Sequence, residues 1–149
     1  MYKTNITADQ ALEGFGKGIV CSQATFANFA EQMGIDRETA LKLASPYGGG
    51  SWRGEQCGCV VGGLMAIGLK YGQGDVFDHE KDEIMKAKSQ EFMTRFADAY
   101  GSCICREILG YDISIPEEAA KIMEENKFGN VCCKAVVDAC DILVDVLGE

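Results

Sequence analysis

Apolar residues recur along this chain at the three-to-four spacing of helices and nowhere with the sustained alternation of a strand. Thr7-Ala8-Asp9-Gln10 has the form of a capping box, and Ala11, Phe15, Ile19, Phe26, Phe29 and Met33 follow at helical intervals, predicting a first helix that Gly34 stops. Asp36 is placed to cap a short second helix through Leu43, which Ser45-Pro46 ends. Tyr47 to Gln56 breaks the pattern with glycines and the only tryptophan, and reads as an ordered loop. From Cys57 to Tyr71 the chain is apolar nearly all round, so a third helix should be central and buried, with Gly72 at its end. A charged amphipathic fourth helix begins at Asp78, with Ile84, Phe92, Phe96 and Tyr100 as core positions. A fifth, short one follows Ser102 and stops at Gly110, and Pro116 opens a sixth. Asn130 caps a last helix that turns Val136, Val137, Cys140, Leu143 and Val144 inward. The expectation is an all-α fold: one domain over residues 1–149, a bundle of about five to seven helices around a buried, glycine-rich central one.

That central helix carries Gly58, Gly62 and Gly63 in its first half, each costing about 1 kcal/mol relative to alanine. Gly58 and Gly62 are four residues apart and share one side, against which another helix or a cofactor is expected to come close.

The formal net charge of −9 disfavours nucleic acid and anionic membrane as partners. The longest apolar stretch, Cys57 to Leu69, falls short of the roughly 18 residues of a membrane span, and the N-terminus has no apolar signal region. A cytosolic protein is expected, and there eight cysteines among 149 residues are conspicuous. They are too few for a disulfide-stapled secreted scaffold, which carries roughly 8–10%. In a reducing compartment such residues are metal ligands, reactive thiols or buried core.

Their placement narrows the choice. Cys57 opens the glycine-rich helix, Cys103 and Cys105 follow the cap Ser102, and Cys132 and Cys133 follow the cap Asn130. A helix start offers unpaired N–H groups and a positive dipole end, which favour the thiolate over the thiol. Cys21 differs, falling inside the expected first helix near its apolar face. There is no Cys-x-x-Cys, so neither a thioredoxin motif nor a ribbon-type zinc site is encoded. His79 is the only histidine and reads as a solvated first-turn residue beside Asp78 and Glu80. Gly49 to Gly54 has P-loop glycine spacing, but Glu55-Gln56 stands where Lys-Ser/Thr is required.

At these cysteines the chain resembles the C_GCAxxG_C_C family of redox-active proteins, defined by four cysteines and a Cys-Gly-Ala-x-x-Gly motif. Here the motif reads Cys57-Gly58-Cys59-Val60-Val61-Gly62, and the other family cysteines match Cys21, Cys105 and Cys132. The resemblance runs from about Cys21 to Leu143 and implies a redox role without naming a reaction. Two positions depart from the family: Cys59 replaces its alanine, and Cys133 stands where proline is expected. With Cys103 they form close pairs with the family cysteines, and are accessory candidates.

Three readings follow. The first is electron transfer through an iron–sulfur or other metal–thiolate site held by Cys21, Cys57, Cys105 and Cys132, with Gly58 and Gly62 lining the cofactor. It comes first because four scattered cysteines matched to one pattern point to convergent ligands. The second is metal-free thiol–disulfide chemistry, with Cys57 or Cys105 as redox candidates: a low-pKa Cys57 attacks and another cysteine resolves. The third is a structural zinc ion or plain buried thiols, the latter being the natural reading of Cys140. The partner is a redox protein or a small thiol or disulfide, and a homo-oligomer is compatible with the chain.

Overall fold

The structure, a computed structural model, describes residues 1–148. Eight α-helices succeed one another: α1 (Ala8–Gly16), α2 (Cys21–Ala30), α3 (Arg37–Ala44), α4 (Gly58–Tyr71), α5 (His79–Tyr100), α6 (Cys105–Leu109), α7 (Pro116–Glu124) and α8 (Cys133–Leu147). Among the described residues there is no strand, only a single antiparallel bridge between Gln56 and Ile104. Among the described residues no helix is long and apolar enough to cross a membrane.

Helix α4 lies at the centre, packed on α2, α5 and α8, while α3 leans on α2 and α1 on α8. Its glycines make this possible. A Cβ at Gly62 would stand 2.6 Å from the Ser22 carbonyl oxygen and 3.2 Å from Thr25 Cβ, so bare backbone lets α2 approach. On another face a Cβ at Gly63 would run into the ring of Phe92. The helix-propensity cost of these glycines is offset by close packing with Phe26, Phe29, Val60, Ile67, Phe92, Phe96 and Leu143, all essentially removed from solvent.

Several elements differ from the sequence expectation. The expected first helix is two. The chain breaks after Gly16, Gly18 adopts a left-handed φ of +88°, and Val20 sits extended with its N–H donating to the Gln23 side chain. That break, reachable for glycine without strain, raises the helix count to eight and makes Cys21 the first residue of α2. Ile84 is on the solvent side of α5 at 42% exposure; Phe92 and Phe96 are buried, and Tyr100 is half-buried with its hydroxyl on Asp138. Asn130 caps nothing: it lies inside a π-turn, Phe128–Cys132, that runs directly into α8, and its side-chain amide donates to the Glu125 carbonyl. Within α8, Val136, Cys140 and Leu143 are buried, whereas Val137 and Val144 are half-buried. Cys103 precedes α6 rather than lying in it, and Ser102 accepts from the N–H of Ile104.

Candidate functional site

Four local devices carry cysteines towards one place. The turn at Gly18 sets Cys21 at the start of α2. Cys57 is the N-cap of α4, and its carbonyl accepts from Val60 and Val61. The segments before α4 and α6 are tied side by side: Cys57 N–H donates to the Cys103 carbonyl at 2.8 Å, and Cys105 N–H to the Glu55 carbonyl at 2.6 Å. This two-rung ladder sets Cys105, first residue of α6, beside Cys57. The π-turn accommodates one more residue per turn than an α-helix and delivers Cys132 just ahead of α8.

Cys21, Cys57, Cys105 and Cys132 all line one cavity of about 460 Å³. Cys59 lines it too, and Gly58 forms part of the wall. A Cβ at Gly58 would collide with Cys21 Sγ, so this glycine lets the first sulfur lie against α4. Gly62 is not on the cavity wall; the group close to it is α2. The remaining thiols point elsewhere. Cys133 is buried and donates to the Gly129 carbonyl at 2.9 Å, Cys103 donates to the Met93 carbonyl at 3.5 Å, and Cys140 lies in the core. All eight cysteines are free thiols.

The cavity thiols differ in acidity. Cys21 is lowered from 9.0 to about 7, mainly because the Cys59 thiol donates to its sulfur; backbone N–H groups of Gly49 and Ser22 add to this against the effect of burial. Cys59 moves the opposite way, raised well above 9.0 by its hydrogen bonds to Cys21 and Cys57 and then by burial. Burial pushes Cys105 up to about 12, helped by the neighbouring Cys57 and Cys21 sulfurs. Burial likewise raises Cys132, which feels Cys21, Cys57 and Cys105. Cys103 is raised, chiefly by burial. The mutual influence of these sulfurs is itself a mark of their convergence.

Sequence reasoning missed two features here. One is Cys21 at a helix start, for which Gly18 was the available signal. The other is Trp52, whose ring lies over Gly48 and Gly49 and forms part of the cavity wall. It sits in a left-handed turn: Gly49, Gly50, Ser51 and Trp52 have φ of 59°, 64°, 59° and 60°. Glu55 N–H donates to the Gly50 carbonyl and the Arg106 guanidinium to that of Gly54, holding the turn closed.

Among the described residues no three His, Cys, Asp or Glu side chains are grouped to hold a metal ion.

A family model described as "Putative redox-active protein (C_GCAxxG_C_C)" matches residues 19–146. No curated protein and no solved structure matches the chain.

Proposed function

Because the chain belongs to the C_GCAxxG_C_C family of redox-active proteins, we propose that it transfers electrons through a metal–thiolate cluster, of iron–sulfur type, held by Cys21, Cys57, Cys105 and Cys132. The observation that carries this reading is the convergence of these four cysteines, from four separate elements, on one cavity. The donor set fits: iron–sulfur clusters take cysteine thiolates, usually four. So does the setting, with a backbone-bare wall at Gly58 and N–H groups of Gly49 and Ser22 directed at Cys21 Sγ. A cluster bound there would supply one-electron chemistry. The chain's own part is to bring the sulfurs to one cavity, to exclude charged groups from its wall and to stabilise thiolate at Cys21.

A second reading has its own support. Cys21 is the thiol with the lowered pKa, and Cys59 is its hydrogen-bonded neighbour. In a metal-free protein Cys21 would attack and Cys59 would resolve, so the attacking role falls to Cys21 rather than Cys57.

A redox titration of anaerobically purified protein separates the two. The cluster reading predicts a one-electron Nernst slope of about 59 mV per decade, with a visible absorption change. A two-electron slope of about 30 mV, accompanied by the loss of two titratable thiols and no visible band, would replace it with the Cys21–Cys59 dithiol.

A further inference from the structure

The cavity is larger and more apolar than a ring of sulfurs requires. Its wall contains no Asp, Glu, Lys, Arg or His. Apart from five cysteines and some glycines it is made of aliphatic, thioether and aromatic side chains, among them Phe15, Trp52, Ile113, Met123, Phe128 and Val131. Phe15 and Phe128 meet edge to face with centroids 6.4 Å apart, giving a firm aromatic corner. Trp52 at 50% and Met123 at 66% exposure open the wall to solvent. Apolar cavities that stay empty are small, about 150 Å³ in engineered cases, and each costs stability. At about 460 Å³ this one falls within the roughly 300–1,000 Å³ of small-molecule sites.

We infer that the cavity is also a binding site for a neutral, planar, apolar ring compound of the quinone class, seated against Trp52 and the Phe15–Phe128 corner beside the cysteines. Charge on the ligand is excluded by the wall: no side chain there could pair with it, and an unpaired charge in such surroundings is costly. With Cys21, Cys57, Cys105 and Cys132 given to a cluster, Cys59 and Trp52 are the donor-bearing side chains left on the wall, which suits a ligand whose polar atoms are two carbonyl oxygens. The neutral, apolar character follows from the wall, and its aromatic residues favour a ring; the choice of a redox-active ring rests on the redox reading of the cysteines.

Trp52 is the only tryptophan, so its fluorescence reports directly on occupancy. Tetramethyl-1,4-benzoquinone is a suitable probe because its ring is fully methylated and offers thiols no ring C–H position to substitute. Titrated into the full-length protein, it should quench Trp52 saturably at a single site. Val131→Phe, which fills the cavity, should weaken that binding at least tenfold with the helical circular dichroism unchanged. If Val131→Phe lowers the helix content, Ile113→Phe on the same wall serves as the filling variant. Anthraquinone-2-sulfonate at equal concentration should not compete. Quenching that is linear and unsaturable, that is unaffected by both filling variants, or that the sulfonate reproduces, would overturn the inference. Iron and sulfide measured on the same sample report separately on the cluster. Binding without iron leaves this site standing and removes the cluster; iron without binding does the reverse.

Discussion

At the scale of single residues, the glycines of α4 are not equivalent. Gly58 faces Cys21 Sγ, with Ser22 N and Tyr47 O at 3.0 Å from where a Cβ would lie, whereas the same atom at Gly68 would meet nothing within 4 Å. Gly58→Ala should therefore destabilise the protein by about 2–3 kcal/mol through overpacking. Gly68→Ala, in the same helix, should stabilise it by roughly 0.5–1 kcal/mol through helix propensity. Urea melts of the two variants check the pair; equal effects would mean the contact at Gly58 relaxes freely. The chain marks Gly58, with Gly62, as a side of close approach; that the Cys21 thiol is what meets it was not legible there. Cys59 was equally opaque. As a departure from the family motif it reads as accessory, yet the helical turn after Cys57 sets it on the cavity wall between Cys21 and Cys57, hydrogen-bonded to both.

At the scale of elements, the left-handed turn at residues 49–52 gathers two of the three non-glycine residues with positive φ among the described residues, the other being Asn126. Two of its four positions, Ser51 and Trp52, are not glycine, and each such residue costs about 1–2 kcal/mol. Ser51→Gly should raise stability by roughly 0.5–1 kcal/mol, the relief of strain exceeding the entropy glycine adds to the unfolded chain. A higher urea midpoint at unchanged slope is the expected result; a lower one would show that the serine side chain contributes something the backbone conformation does not. Helices with strong caps were legible: Thr7, Asp36 and Asp78 each accept from the first turn as their sequence context implies. The breaks were not. Gly18 lies inside an unbroken helical period, so periodicity ran two helices together and hid Cys21 at a helix start. The π-turn before α8 needs one additional residue per turn and leaves no mark in composition, so Asn130 took on the look of a cap.

At the scale of the whole molecule, the cysteines make stability depend on pH and on what they bind. Folding lowers Cys21 to about 7, so its contribution is complete above pH 9 and fades as pH falls through 7. Folding raises Cys105 and Cys140 to about 12, so theirs is complete below pH 9 and is lost as pH climbs from 9 towards 12. Reduced, metal-free protein should accordingly gain stability from pH 7 to 9 and lose it above 9. With the cavity thiols bound to metal there is less to titrate, and the dependence flattens. Urea midpoints across that range, with and without metal, would check both statements; a flat profile for the metal-free form would contradict the assigned burial of Cys105 and Cys140.

We propose that Cys21, Cys57, Cys105 and Cys132 form one redox centre, with Cys133 outside it. Iron, zinc and acid-labile sulfide per chain, measured after anaerobic purification of the wild-type protein, Cys132→Ser and Cys133→Ser, test it most directly. Iron and sulfide with a visible thiolate-to-iron absorption are expected in the wild type, lost in Cys132→Ser and kept in Cys133→Ser. Loss in Cys133→Ser with retention in Cys132→Ser, or a wild-type chain free of metal with eight reactive thiols on denaturation, would contradict it.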